Sequence, residues 1–205
     1  MLITERFVLL ALDPAGGTVI LPRAAADLDA LCAAGLLLEL VVQRRLHWSG
    51  PGFELEDRLP PAHHLLDLAT KALHDHAAGS VANAIARVGK RLAPLPTALL
   101  EGLVRRDFLH RVRDWRFWRR DAVRYPLRSW QARNEARNTL ERAAQSPDIG
   151  GLSLLMLCDL AGMLTTHLDA AHHERAAAAL LALNDPPRQD IERVALAVVR
   201  QALLA

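Results

Sequence analysis

Nine histidines and two cysteines are the first residues in this 205-residue chain that invite a chemical reading. The histidines gather as His63-His64, His74 with His76, and His167 with His172-His173. A metal centre needs several such groups on one face, joined to a Cys or carboxylate at ligand spacing. Adjacent histidines point to different sides of a helix, and no pair here is joined to such a set. They read as solvated helix surface. Cys32 and Cys158 stand apart with no CxxC and read as reduced core thiols. The sequence contains no GxSxG, P-loop, GxGxxG or HExxH motif. The expectation is a non-enzymatic protein with no catalytic residues, cofactor or metal.

Two further features carry charge into places where it costs free energy or attracts a partner. Glu39 lies within the apolar run Leu36–Val42. A buried carboxylate needs a partner, and Arg44 or Arg45 could supply a structural ion pair. The stronger feature is the stretch Arg105–Arg128. It holds Trp115, Phe117 and Trp118, flanked by Arg111, Arg113, Arg116, Arg119, Arg120 and Arg124. Aromatics beside arginines suit a membrane interface, where rings enter the apolar boundary and guanidinium groups meet phosphate. The same residues suit stacking on nucleic-acid bases or an oligomer interface.

Charge is polarised along the chain. Between Arg105 and Arg142 there are 12 arginines and 5 carboxylates, an excess of seven positive charges. The whole chain is only +2, so the remainder carries −5. Only Lys71 and Lys90 are lysines, so arginine usage in itself is a compositional habit. Its clustering is the informative part, because a one-sign patch acts over a Debye length on an anionic partner.

The elements that must hold these residues are mostly helical. Hydrophobic residues make up 51% of the chain but aromatics only 4%, so the core is Leu, Ala and Val, which favours packed helices. Thr4 can cap a helix over Glu5–Leu12, ended by Asp13-Pro14 and Gly16-Gly17. Pro22 suits the start of a second segment running to about Arg45, with a break at Gly35. Leu46–Leu55 reads as a small hairpin. Helices follow over about Ala62–His76, Ser80–Arg91 and Thr97–Arg106. The segment Phe108–Tyr125 lacks a 3.6-residue pattern and reads as a second hairpin, closed by Pro126. Its alternation puts Trp115 and Phe117 on one face and Trp118 on the other. Four more helices cover about Arg128–Gln145, Gly151–Leu164, Asp169–Leu183 and Arg188–Leu204.

The predicted fold is therefore mainly α, a single compact helical domain over residues 1–205 with two small β-hairpins, one protruding. Phe7–Leu12 is too short for a signal sequence and Leu152–Leu164 too short for a membrane span, so the expected location is cytoplasmic. An internal echo links Leu38–His47 to Leu100–His110: each is a helix end running through paired Arg into a hairpin. Helix followed by hairpin is also the outline of a winged helix, with Thr97–Arg106 as recognition helix. The Ala, Leu and Glu on that helix and the near-neutral overall charge disfavour nucleic acid.

Leu36-Leu37-Leu38-Glu39-Leu40, followed by Arg44-Arg45-Leu46, resembles the Golgi phosphoprotein 3 family, including its bacterial members. The resemblance continues through Glu5–Leu12 before a Gly turn, Leu103-Val104 into the Phe108–Pro126 hairpin, Tyr125-Pro126-Leu127, and the Leu152–Leu164 helix. It implies a helical domain with a protruding hydrophobic hairpin. It also implies peripheral binding to anionic membrane lipid, phosphatidylinositol 4-phosphate above all, and insertion or homo-oligomerisation through Trp115, Arg116, Phe117, Trp118 and Arg119. The family's headgroup residues fall near Ala24, at Ala33 and around Ala93–Pro96, where this sequence does not keep them. Arg23, Lys90 and Arg91 lie close by and are the candidate headgroup-binding substitutes.

Overall fold

Three helices of this chain are rich in apolar residues, two of them nearly all round, and such helices must lie inside. In the computed structural model, which describes all residues except 51, 57–58, 75–78 and 114–122, they form the centre. They are α1 (Ile3–Ala11), α2 (Leu28–Val42) and α7 (Ile149–Leu160), which pack on one another. Phe7, Leu9, Leu36, Leu37, Leu38 and Leu40 are fully buried among them. The outer helices are α3 (His64–His74), α4 (Val81–Arg91), α5 (Leu95–Arg105), α6 (Trp130–Gln145), α8 (Leu164–His167), α9 (Ala170–Leu181) and α10 (Ile191–Leu204). The fold is mainly α, with two two-stranded antiparallel sheets. Strand β1 (Leu46–Trp48) pairs with β2 (Phe53–Leu55), Trp48 facing Phe53 edge to face at 5.8 Å between ring centres. Strand β3 (Val112–Arg113) pairs with β4 (Val123–Arg124).

Several expected boundaries shift; the helix expected over Gly151–Leu164, for one, runs from Ile149 to Leu160 and stops before Gly162, whose φ is 76°. Thr4 does not cap α1. It lies inside the helix, buried, and its hydroxyl donates to the Cys32 carbonyl at 3.3 Å. The free N–H groups at the start of α1 go to two carboxylates instead: Glu5 Oε2 accepts from Leu2 N–H at 2.9 Å and Glu39 Oε2 from Ile3 N–H at 2.8 Å. The second segment begins six residues after Pro22, because Asp27 accepts from the N–H groups of Asp29 and Ala30. It does not break at Gly35. There α1 crosses so closely that a Cβ would stand 2.8 Å from the Cβ of Thr4, so glycine serves the crossing rather than a turn.

The internal echo has a structural counterpart. After α2, Arg44 adopts φ 53°, and Arg45 N–H reaches back to Leu40 O at 2.8 Å. After α5, Asp107 adopts φ 63°, and Phe108 N–H reaches Leu103 O at 3.0 Å. Both ends close by the same left-handed cap and deliver a buried leucine, Leu46 or Leu109, into a hairpin.

Glu39 is not paired with Arg44 or Arg45. Its second oxygen accepts from the Gln43 side chain at 3.2 Å. Arg44 faces Glu192 at 3.7 Å, and Arg45 donates to the Leu59 carbonyl. The buried carboxylate is Glu5, 1% exposed, which receives Arg106 Nη2 at 2.5 Å and lies 3.2 Å from His63 Nε2. Two histidines thus leave the solvated class. His63 joins that ion cluster, and His167, 8% exposed, donates from Nε2 to the Leu10 carbonyl at 3.1 Å. Cys32 and Cys158 are buried free thiols, and burial pushes Cys32 up to about 12 and Cys158 higher still, so neither forms a thiolate at neutral pH.

Candidate functional site

The second hairpin is built outward from α5. That helix buries Leu95, Leu99, Leu100 and Leu103, which turns Glu101 and Arg105 away from the core. Past the left-handed Asp107, Leu109 bridges Leu127 and His110 N–H donates to Pro126 O at 2.9 Å. The ladder continues through Val112↔Arg124 and Arg113↔Val123. Glu101 fastens this base to the helix: its Oε1 accepts the Tyr125 hydroxyl at 2.9 Å and Arg111 Nε at 2.7 Å. Burial, and then the adjacent carboxylate, raise the Tyr125 phenol above its ordinary value, so the hydroxyl remains a donor.

A second tie runs to the turn after α1. Tyr125 N–H donates to Gly17 O at 2.7 Å, and Leu127 N–H to Pro14 O at 3.0 Å. Gly17 has φ 71°, and a Cβ there would lie 2.4 Å from the Pro126 nitrogen, so only glycine fits this approach. The surroundings are basic. Arg105, Arg113 and Arg128 are exposed, Arg128 Nη1 lying 2.5 Å from Asp107, and Arg106 stacks over Phe108 at 5.4 Å.

The segment that this base presents contains Trp115, Arg116, Phe117, Trp118 and Arg119, all of which lie outside the described residues, as does Arg120. One aromatic the sequence reading passed over is described. Trp130 opens α6 just past the hairpin and is 60% exposed. Its signal was legible: the buried stripe of α6 is Ala132, Ala136, Leu140 and Ala143, while Arg133, Asn134 and Arg137 share the side that holds Trp130.

Of the candidate headgroup residues, Arg23 precedes α2, and Lys90 and Arg91 lie on α4. Arg23 is exposed, and its N–H donates to Ala161 O at 3.1 Å where α7 ends. Lys90 and Arg91 form the last turn of α4, where cations complement the helix dipole. Lys90 lines an apolar groove of about 420 Å³ whose other ionisable groups are Asp27 and Asp29; neither Arg23 nor Arg91 lines it. Ala33, at one of the family's headgroup positions, is fully buried and faces Gly89, where a Cβ would stand 3.8 Å from its own. An arginine there would enter the α2–α4 contact. Among the described residues no cluster of His, Cys, Asp or Glu could hold a metal ion, and no helix is long and apolar enough to cross a membrane.

These features define a class: a helical domain that carries a strand pair with a basic, tethered base. The chain belongs to the Golgi phosphoprotein 3 (GPP34) family, whose model matches residues 3–205. No curated protein matches the sequence.

Proposed function

We propose that this is a peripheral membrane-binding protein, with a binding rather than a catalytic role, that attaches to anionic, phosphatidylinositol 4-phosphate-like headgroups. The second hairpin inserts at the interface. The observation that carries the reading is Trp130, exposed beside the tethered base of a hairpin that bears three more aromatics and flanking arginines. Aromatic side chains leaving water contribute roughly 1.5–3 kcal/mol each. Arginines near an anionic leaflet contribute about 1 kcal/mol apiece. A few of each, less the cost of ordering, give reversible attachment. The carboxylates beside Lys90 and the buried Ala33 favour recognition by a charged, aromatic surface over a closed inositol phosphate pocket.

Cosedimentation with phosphatidylcholine vesicles of graded phosphatidylserine content tests this. Attachment is expected to rise with anionic content and to fall about tenfold or more in Trp130→Ala combined with W115A, F117A and W118A. Undiminished attachment in that variant overturns the reading. Light scattering distinguishes the rival use of the hairpin, in homo-oligomerisation: particle size then changes in the variant while vesicle binding is absent throughout. Duplex DNA binding with a steep salt dependence would point to the nucleic-acid reading.

A further inference from the structure

A cavity of about 310 Å³ lies where the end of α1 and the loop after it meet α6 and α8. That volume is at the lower end of the range for small-ligand pockets. Its walls are mostly apolar, Leu10, Leu12, Ile20, Pro22 and Met163 among them. Ile20 and Thr166 also line it and are exposed, so they stand at its mouth.

The two charged groups in the lining, Asp13 and Arg133, are of opposite sign and attract one another. Each has a further partner: Arg133 Nη1 donates to Leu12 O at 2.5 Å, and Asp13 Oδ2 accepts from Gly16 N–H at 3.0 Å. The lining is therefore neutral overall, which favours an uncharged, largely apolar ligand over an ion.

One buried polar group there lacks a partner. His167 is 8% exposed, lines the cavity, and donates from Nε2 to the Leu10 carbonyl at 3.1 Å. Burial, and then the charge on Arg133, lower its pKa, so at neutral pH the ring is uncharged and Nδ1 holds a lone pair. That nitrogen has no hydrogen bond among the described residues. The ring is otherwise buried, so a donor reaches it from the cavity. An acceptor left unpaired in an apolar site costs free energy that a ligand O–H relieves.

We propose that the cavity binds an uncharged aliphatic alcohol, with its chain against Leu10, Leu12 and Met163 and its hydroxyl donating to His167 Nδ1. The site is distinct from the hairpin and stands whether or not the hairpin meets lipid.

Calorimetric titration of the full chain with 1-hexanol at neutral pH tests this. The comparison ligand is the isomeric pentyl methyl ether, which has no O–H to donate. Saturable binding in roughly the millimolar range is expected for the alcohol, with the ether about fivefold weaker. His167→Phe should remove that preference. Thr166→Trp, at an exposed position, should fill the mouth and weaken both ligands about tenfold. T166W keeps the test decisive if a change at His167 disturbs folding. No saturation by about 20 mM hexanol overturns the proposal. So does equal affinity for alcohol and ether, or a T166W chain that binds as the parent does.

Phosphatidylcholine vesicles with and without monooleoylglycerol separate the sources of such an alcohol. Attachment that needs the monoacylglycerol and is lost in T166W identifies a membrane lipid. Absent attachment beside an intact titration identifies a soluble alcohol. Failure of the hairpin reading alone leaves the titration unchanged.

Discussion

Glu5 and His167 are two polar groups on or against α1 that the core has to accommodate. Glu5 is tolerable because Arg106 and His63 approach one oxygen and the Leu2 N–H donates to the other. His167 makes a single bond, to the Leu10 carbonyl, and burial together with the charge on Arg133 holds its imidazole below 6.5. The folded chain therefore resists the proton that the unfolded chain accepts. Stability rises with pH below about 6.5 and is lost as pH falls through that value. The melting temperature is expected to drop between about pH 7 and pH 5.5, and to drop less in His167→Gln. Equal slopes in differential scanning fluorimetry would remove His167 from the account. None of this was legible in the residues themselves. Neither Glu5 nor His167 differs in local pattern from a surface residue, and Glu39 looked buried because its neighbours are apolar. Partners 101 and 157 positions away decide the outcome.

At the scale of elements the sequence carried more. The helices and both hairpins follow from periodicity and punctuation, since apolar spacing and Pro/Gly turns are local properties. What misled was the assignment of ends. Thr4 and Gly35 look like a cap and a break, yet they are the contact where α1 crosses α2. The base of the second hairpin makes the same point, because its ties to Glu101 and Gly17 are tertiary. Tyr125→Phe should remove the bond to Glu101 at a cost of about 1 kcal/mol. Its expected signature is faster hydrogen exchange at Val112 and Arg124 with little change at α2. Uniform acceleration across the chain would show that the bond serves global stability instead.

For the whole molecule, positive charge is in excess over Arg105–Arg142 and in deficit over the rest of a nearly neutral sequence. A basic segment attracts an anionic surface, and salt weakens that attraction. The vesicle attachment proposed above should therefore decline as ionic strength rises from about 0.05 to 0.5 M, leaving a residue due to the aromatics. Salt-independent attachment would assign all of it to burial of apolar surface. Family membership was legible from short leucine-rich motifs because they encode the packed centre. The candidate headgroup residues rest on the resemblance alone; Lys90 lines an apolar groove that Arg23 and Arg91 do not line.

The enclosed position of α1 also bears on how the chain is made. Its apolar flanks touch α2, α5, α6 and α7, so its cover is incomplete until about residue 160 has been synthesised. On the ribosome Phe7–Leu12 leaves the exit tunnel long before that, and at ordinary elongation speed the wait lasts on the order of ten seconds. Through that interval this apolar segment has α2, and then α5, to shelter it. Closure of α6 and α7 over α1 can follow only once both helices have been made, and α9 and α10 then pack on them and on α2.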